Sequence, residues 1–309
     1  MSIVLIFENK DPKPWKKALK KKLPNATIEV YPNVKNKETV DFVICWKPIK
    51  HVFEQFPNIK IIQSVGASIQ HITASQKINS ENIITRIVDE RLSNDMWEFL
   101  LAIVLLDLKN AKTYIQQQAA NTWKQHNYKT IDETTISILG LGKIGGYVAE
   151  KFAQVGFRVK GWSTSKKQIT NVESYSGESE FVSFLDNSNY LINLLPLTDK
   201  TKGILNKNVF QKLPKGSFLI NVGRGEHVVD ADLIDALDDA ILSGAFLDVF
   251  VNEPLSKEHR FWRHPKIQIT PHVASLTNVE TATEQITENY KLFLKNEELR
   301  NVVSLKKGY

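Results

Sequence analysis

The sequence predicts an α/β protein built of two parallel-sheet domains, and three observations carry this prediction. The chain has 309 residues and 42% hydrophobic content, which suits two domains with sizeable cores. Short apolar runs typical of strands alternate with longer polar stretches typical of helices along most of its length. In the second half the apolar runs are nearly continuous, as in parallel strands covered on both faces.

The first half contains five candidate strands, at residues 3–7, 27–30, 41–45, 59–65 and 83–86. A long helix is expected next, over residues 93–121, with N-cap chemistry at Ser93, Asn94 and Asp95. Its middle, "MWEFLLAIVLLDL", is apolar nearly all round. Such a helix needs burial on several sides, and we expect a second subunit to supply part of it.

A second series of strands and helices begins at Thr135. The candidate strands are "TISILG", "FRVKGW", "NYLINLL", "SFLINVG", "GAFLDVF" and "KIQIT". A last helix is expected over residues 277–296. No internal repeat and no low-complexity linker interrupts the pattern, so two α/β units joined by long helices are the simplest explanation.

Composition narrows the class of protein. No apolar run approaches the roughly 18 residues that span a bilayer, and "IVLIF" near the start is too short for a secretory signal. We therefore expect a cytoplasmic protein that binds no membrane. Cys45 is the only cysteine, which excludes an internal disulfide and a cysteine metal cluster, and no metal is expected. The net charge of +6 is dispersed, so it favours anionic small ligands over nucleic acid.

A glycine-rich turn, "ISILGLGKIGGYVAEKF", lies between a candidate strand and a candidate helix. Gly140 permits the tight turn, Gly142 lets the backbone approach a pyrophosphate, and Gly145 allows the helix to pack close to the strand. The helix N-terminus then offers free N–H groups to the phosphates. The pattern predicts a dinucleotide site, in preference to a turn without a ligand.

The segment "GWSTSKK" follows the next strand, where an acid would bind the ribose 2′-hydroxyl of NAD. Here the side chains are hydroxyls and two cations, which can donate to a 2′-phosphate and neutralise it. The segment therefore favours NADP, with Ser163, Thr164, Lys166 and Lys167 as the contacts. An exposed polar turn without that role stays open as the alternative.

Three further segments each end a predicted strand, and they carry Arg224, Glu253 and His272. Hydride addition to a carbonyl leaves negative charge on oxygen, and histidine is suited to supply the proton. A carboxylate on the other ring nitrogen favours the imidazolium form. Arginine offers a planar fork to a substrate carboxylate. Singly, each residue has an ordinary structural explanation, but together with the glycine turn they favour catalysis.

The motifs "GLGKIG", "NVGRG", "LDVFVNEPL" and "TPHVASLT" resemble the D-isomer-specific 2-hydroxyacid dehydrogenase family over nearly the whole chain. The segments "WSTSKK", "YLINLLPLT", "GEHVVDADLIDAL" and the terminal Gly308-Tyr309 are similar to its glyoxylate/hydroxypyruvate reductase A branch. The resemblance implies an NADPH-preferring reductase of small 2-ketoacids, with NAD as the alternative cofactor. The products are glycolate from glyoxylate and D-glycerate from hydroxypyruvate.

The resemblance also implies roles for particular residues. Arg224 binds the substrate carboxylate, His272 is the acid/base, Glu253 is its partner, and Asp248 lies near the nicotinamide carboxamide. The expected substrate contacts are Trp46, Val65, Gly66, Ala67, Arg224 and His272, although core packing explains Trp46 equally well. The expected cofactor contacts are Gly140, Gly142, Lys143, Ile144, Gly145, Ser163, Thr164, Lys166, Lys167, Leu195, Pro196, Val222, Gly223 and Asp248.

Two departures from the branch stand out. Thr164 occupies a position where the branch commonly carries arginine, and Ser68 and Gln70 replace a usual glycine and aspartate in the substrate turn. The family fold implies two Rossmann-like domains with the active site in the cleft between them. A flavodoxin-like substrate-binding domain takes residues 1–97 plus 277–309, and an NAD(P)-binding Rossmann domain takes 98–276. Family members generally dimerise through the long helix, so a homodimer is expected.

Two alternatives stay open at this point. The protein could be another D-2-hydroxyacid dehydrogenase; the usual long phosphoglycerate form is disfavoured because no regulatory domain is appended. A formate dehydrogenase lacks support because the N-terminal region carries no extended insert. From a different class, corepressors with this fold act as nucleotide-sensing scaffolds. Turnover of NADPH with glyoxylate separates that class from an enzyme.

Overall fold

Two parallel sheets organise the chain in the computed structural model, which describes residues 2–8 and 10–303. The chain divides into two units, residues 1–90 with 277–309 and residues 91–276. That these units are the substrate and cofactor domains stays a prediction. The terminal Gly308-Tyr309 pair, which contributed to the family resemblance, lies outside the described residues.

The first unit holds a five-stranded sheet in the order β2-β1-β3-β4-β5, with every pairing parallel. Its elements in chain order are β1 (Ser2–Phe7), α1 (Lys13–Lys22), β2 (Thr27–Val30), β3 (Val40–Trp46), β4 (Ile61–Ser64), α2 (Gln70–Thr73) and β5 (Ile83–Thr85). All five strands expected in this half are present.

The second unit holds a seven-stranded parallel sheet in the order β12-β11-β10-β9-β6-β7-β8. Its elements are α3 (Glu90–Leu108), α4 (Ala111–Ala119), β6 (Thr135–Leu139), α5 (Lys143–Gln154), β7 (Arg158–Ser163), β8 (Val172–Ser176), α6 (Phe181–Leu185), β9 (Tyr190–Asn193), α7 (Lys207–Phe210), β10 (Ser217–Asn221), α8 (Asp230–Asp238), β11 (Leu242–Leu247) and β12 (Ile267–Ile269). The chain then returns to the first unit as α9 (Val279–Leu294).

Each sheet is covered by apolar packing on its two faces. In the second unit, Ile136 and Ile138 of β6 join one buried cluster with α3 and α5, and Leu139 joins another on the opposite face. In the first unit, Phe42 of β3 meets Tyr290 of α9 edge to face, with ring centroids 5.4 Å apart. Burial on both faces explains why the strands read as continuous apolar runs.

Three features of these elements differ from the expectation. The single helix expected over residues 93–121 is two helices, because Asn110 has a φ of 55° and stops α3 in the left-handed conformation that asparagine tolerates. The helix also begins at Glu90, before the proposed N-cap residues. Strand β8 was missed because it is an edge strand whose five residues, "VESYS", lack an apolar run.

Helix α3 buries most of its apolar side chains inside its own unit. Met96, Leu100, Ile103, Val104 and Leu108 all belong to the core beneath the sheet. The expected subunit contact therefore has less of this helix available than its composition suggests. Within the described chain, no helix is both long and apolar enough to cross a membrane.

Candidate active site

The glycine turn follows β6 directly, and its geometry accounts for two of the three glycines from within the protein. Gly140 has a φ of 101°, in the left-handed region that favours glycine. A Cβ on Gly145 would stand 1.8 Å from the Gly140 carbonyl oxygen, so only glycine lets α5 start this close to the strand. A Cβ on Gly142 would meet nothing within 4 Å. Open space there is what a closely approaching ligand requires.

The turn lies at the point where the strand order of the sheet reverses. Strand β7 follows β6 on one side and β9 lies on the other, so loops diverge at the carboxyl ends of β6 and β9. Ligands bind at such switch points in parallel sheets. A Cβ on Gly140 would meet the Leu194 carbonyl oxygen at 2.8 Å, which places the loop of Leu195 and Pro196 against the glycine turn. Lys143 and Ile144 form the first turn of α5.

The "GWSTSKK" segment ends β7, but its polar groups are already partly engaged. The Ser163 side chain is buried, and its hydroxyl donates to the Ser165 carbonyl at 2.8 Å. The Lys166 ammonium pairs with Glu180 at 2.8 Å, and this contact is the main reason that the pKa of Glu180 is lowered. Thr164 and Lys167 are exposed. A phosphate here would have to compete with Glu180 for Lys166.

Arg224 follows β10 and lies beside the expected cofactor residues Val222 and Gly223. Its Nη1 donates to the Gly223 carbonyl at 2.6 Å. Burial lowers the pKa of Arg224, and the nearby carboxylates of Glu253 and Glu226 act in the opposite direction. A guanidinium remains cationic through such a change, so the site holds a fixed positive charge.

Glu253 and His272 form a direct pair. His272 Nδ1 lies 2.8 Å from Glu253 Oε2, while Glu253 Oε1 accepts a hydrogen bond from the Phe250 backbone N–H at 3.1 Å. The second contact holds the carboxylate in place. A proton on Nδ1 directed at the carboxylate leaves Nε2 to face a substrate, which is the arrangement expected from the sequence. His272 has a φ of 58°, a left-handed conformation that a tightly bonded loop must enforce.

Asp248 supplies much of that enforcement. Its Oδ1 accepts from the Thr270 hydroxyl at 2.5 Å and from the Val273 N–H at 2.8 Å. Its Oδ2 accepts from the Ala274 N–H at 2.9 Å. The side chain is 1% exposed. Beyond its expected place near the cofactor, Asp248 therefore ties down both sides of the loop that carries His272.

Three functional candidates were missed by the sequence reasoning. Asn193, Asn221 and His227 are fully buried and hydrogen-bond to one another or to the backbone of Arg224. The signal available in the sequence was a histidine three residues beyond the candidate arginine, in "GRGEH". That spacing alone does not distinguish a buried partner from an exposed loop residue.

The remaining expected substrate residues lie in the first unit. Trp46 ends β3 and packs on Gly66, where an added Cβ would stand 2.6 Å from the indole ring. Two of the expected backbone donors are already engaged: the Val65 N–H donates to the Cys45 carbonyl, and the Gly66 N–H donates to the Ser64 hydroxyl. The Ala67 N–H makes no hydrogen bond within the described part of the chain.

Among residues 2–8 and 10–303, no group of three His, Cys, Asp or Glu side chains could hold a metal ion. The Cys45 thiol is buried, and burial raises its pKa, as expected for a packed residue.

The chain is similar to known proteins over its full length. The protein is 36% identical to the glyoxylate/hydroxypyruvate reductase A of Photorhabdus laumondii and 34% identical to that of Serratia proteamaculans, in each case over the full length of both chains. The solved NADPH-dependent glyoxylate/hydroxypyruvate reductase of Sinorhizobium meliloti, in complex with NADP and sulfate, is 32% identical over both full chains with a TM-score of 0.94. A 2-hydroxyacid dehydrogenase of Xanthobacter autotrophicus, in complex with NADPH and MES, is 31% identical with a TM-score of 0.93, covering 100% of this chain and 99% of its own.

The family model supports the same assignment. Residues 101–274, more than half of the chain, match the NAD binding domain of D-isomer specific 2-hydroxyacid dehydrogenases. The matched span contains the glycine turn, Arg224, Glu253 and His272. The chain therefore belongs to the D-isomer specific 2-hydroxyacid dehydrogenase family.

Proposed function

We propose that this protein is an NADPH-preferring reductase of small 2-ketoacids, reducing glyoxylate to glycolate and hydroxypyruvate to D-glycerate. The observation that carries the proposal is the His272–Glu253 pair, 2.8 Å apart, at the carboxyl edge of the sheet that also bears the glycine turn and Arg224. The names of the full-length relatives support the substrate class.

The residues of the glycine turn fit a dinucleotide. Gly142 has a φ of −71°, which any residue adopts, and no protein atom lies within 4 Å of a Cβ added there. A glycine is therefore explained by a ligand rather than by the backbone. Helix α5 has twelve residues and no acidic side chain in its first turn, so its N-terminal N–H groups suit a pyrophosphate. When bound, NADPH supplies the hydride for the carbonyl carbon.

His272 and Arg224 handle the rest of the reaction. The carbonyl oxygen gains negative charge as its carbon is reduced, and His272 Nε2 donates the proton that makes it a hydroxyl. Glu253 stabilises the protonated ring before that transfer. Arg224 binds the substrate carboxylate and polarises the adjacent carbonyl. The Ala67 N–H is the backbone donor proposed for substrate in the first unit, with Val65, Gly66 and Trp46 shaping that turn.

NADPH preference is proposed from Thr164, Lys167 and Lys166 around the end of β7. The segment "GWSTSKK" contains no acid that would repel a 2′-phosphate, which favours NADPH. The ion pair between Lys166 and Glu180 makes this preference smaller. The solved relatives that contain NADP or NADPH support the same cofactor.

A homodimer is also proposed, with its contact at the second half of the expected helix, where α4 and the segment after it lie. Large apolar side chains are exposed at and after α4: Trp123 is 98% exposed and Ile115 is 66% exposed. We propose that these side chains form part of one apolar patch, of the kind that marks interaction sites, and that a two-fold contact covers this patch in both copies. Sedimentation at micromolar concentration should give about 70 kDa, twice the 35.2 kDa chain. A single species of monomer mass contradicts the proposal.

The function is tested by initial rates on a panel of 2-ketoacids with NADPH and with NADH. We expect the highest kcat/KM for glyoxylate or hydroxypyruvate with NADPH. A higher value for a bulkier ketoacid would indicate another D-2-hydroxyacid dehydrogenase. Tight nucleotide binding without turnover of any ketoacid would favour the scaffold class. The cytoplasmic location stays a prediction.

A further inference from the structure

A buried polar network adjoins Arg224 without belonging to the reaction described above. Asn193 ends β9, Asn221 ends β10, and His227 follows the arginine by three residues. All three side chains have no solvent exposure. Burying three polar side chains costs folding free energy unless each makes its hydrogen bonds. Their hydrogen-bond partners therefore indicate what the network supports.

His227 is bonded at both ring nitrogens. Its Nδ1 accepts from the Arg224 backbone N–H at 3.1 Å and from the Asn193 amide at 2.8 Å. Both partners at Nδ1 are donors, so this nitrogen carries no proton. The proton is on Nε2, which faces the Pro196 carbonyl at 3.3 Å. The network thus requires neutral histidine in one tautomer.

Asn221 completes the support from the other side. Its Nδ2 donates to the Arg224 carbonyl at 2.9 Å, and its Oδ1 accepts from the Asn193 amide at 2.9 Å and from the Gly223 N–H at 3.2 Å. Side chains therefore hold both the N–H and the carbonyl of Arg224. A Cβ on Gly223 would stand 2.8 Å from Asn193 Nδ2, so the network packs directly against the loop.

We propose that His227 is a positioning residue, which acts with Asn193 and Asn221 to orient the guanidinium of Arg224 for the substrate carboxylate. The inference rests on the proposed function, because it assigns His227 to the carboxylate site of that reaction. A planar fork binds a carboxylate well only at the right angle, so a small rotation of the Arg224 backbone weakens both hydrogen bonds. The main effect falls on the ketoacid, because His227 bonds directly to the Arg224 backbone, whereas it meets the expected cofactor residue Pro196 through a single 3.3 Å contact.

Three substitutions distinguish the contributions of the two ring nitrogens of His227. His227→Asn keeps an acceptor near the position of Nδ1 and loses the contact with Pro196. His227→Gln reaches Pro196 and loses the acceptor for Arg224. His227→Leu loses both. We expect the KM for glyoxylate to rise at least about tenfold in the Gln and Leu variants and to stay within about threefold of wild type in the Asn variant.

The control is Ser217→Ala, at the opposite end of β10. The Ser217 hydroxyl is buried and donates to the carbonyls of Ser188 and Pro214, so its loss destabilises the same strand without touching Arg224. The control should lower the Tm and leave the KM for glyoxylate unchanged. NADPH affinity, measured by fluorescence titration, should stay within about threefold in the control and in the Gln variant, which keeps the contact with Pro196, one of the expected cofactor residues.

Two results would overturn the proposal. One is a KM for glyoxylate in His227→Leu that matches that of Ser217→Ala at a similar loss of Tm. The other is an equal rise in the Asn and Gln variants, which would mean that the acceptor for Arg224 is irrelevant. If the wild-type protein reduces no 2-ketoacid, the proposed function fails separately. The affinity for oxalate, measured by calorimetry on wild type and His227→Leu, then decides whether His227 orients an anion site.

Discussion

Two groups of loops at the carboxyl ends of the seven-stranded sheet differ in how their side chains are held. The catalytic edge, formed by residues 221–227, 248–253 and 270–274, has its backbone around Arg224 and His272 fixed by buried hydrogen bonds that His227 and Asp248 accept. The selectivity turn, residues 163–167, is mostly exposed and places Lys166 in a surface ion pair. For the proposed reaction, we infer that proton transfer requires fixed geometry, whereas the preference for one cofactor is set by weaker electrostatics at an exposed turn.

The largest effect should come from the catalytic edge itself. His272→Ala removes the proton donor, so kcat should fall about 10²- to 10⁴-fold, with NADPH affinity nearly unchanged. Stopped-flow turnover and fluorescence titration measure the two quantities. His51→Gln is the matched control, because His51 is an exposed histidine paired with Glu54 in the first unit. If the kcat of the alanine variant stays within a few-fold of wild type, His272 is not the proton donor, and the contrast between the catalytic edge and the selectivity turn has no basis.

The buried network makes the catalytic edge sensitive to acid. Burial is the main cause that lowers the pKa of His227 to about 4, with the charge of Arg224 acting in the same direction. An unfolded chain has a histidine pKa of about 6.5. Between pH 6.5 and about 4, His227 is therefore protonated in the unfolded state but stays neutral in the folded state. The stability from neutral His227 is therefore complete above about pH 6.5 and is lost as the pH falls toward 4.

The expected loss is on the order of 3 kcal/mol of unfolding free energy. Urea unfolding at several pH values between 7 and 4 measures it, with His227→Asn as the reference that has no such group. The stability advantage of wild type over this variant should shrink across the interval. An advantage that is independent of pH would show that His227 titrates alike in both states.

The selectivity turn should respond to one charge. Ser163→Asp introduces a carboxylate acceptor for the ribose hydroxyl and repels a 2′-phosphate. The ratio of kcat/KM for NADPH to that for NADH should fall at least about tenfold, equivalent to about 1.4 kcal/mol. Because Ser163 is buried and bonded to Ser165, Thr164→Asp is a useful companion variant on an exposed neighbour. If neither change moves the ratio, the turn does not face the adenosine ribose.

The smallest effect should come from the competing acid. Glu180→Gln releases Lys166 from its ion pair without changing the turn, so the KM for NADPH should fall by no more than a few-fold. The KM for NADH should not change, since NADH has no 2′-phosphate. Raising the salt concentration should diminish the difference between Gln variant and wild type. A parallel change for both cofactors would mean that Glu180 acts on the shape of the turn and not on the charge of Lys166.

Much of the fold followed from patterns that are local in the chain. The apolar runs predicted eleven of the strands, and the glycine spacing predicted the turn between β6 and α5, because both depend on neighbouring residues. Strand β8 was missed because an edge strand needs no continuous apolar run. The break at Asn110 was missed because residues that favour helices, such as alanine, lysine and glutamine, continue after it, and only the left-handed backbone reveals it.

The site divides along the same line. Residue type and position at strand ends were enough to propose Arg224, Glu253 and His272 as catalytic, since their side chains suit proton donation and carboxylate binding. The sequence could not reveal that Asp248 accepts a hydrogen bond from Val273, 25 residues further along the chain and next to His272. Nor could it reveal the hydrogen bond between Asn193 and His227, which are 34 residues apart. Those pairings exist only after the parallel sheet aligns the ends of its strands. The sequence thus determined which side chains are available for chemistry. Only the tertiary structure decided which of them are fixed by buried hydrogen bonds, because such a bond depends on the distance in space between two groups and not on their separation along the chain.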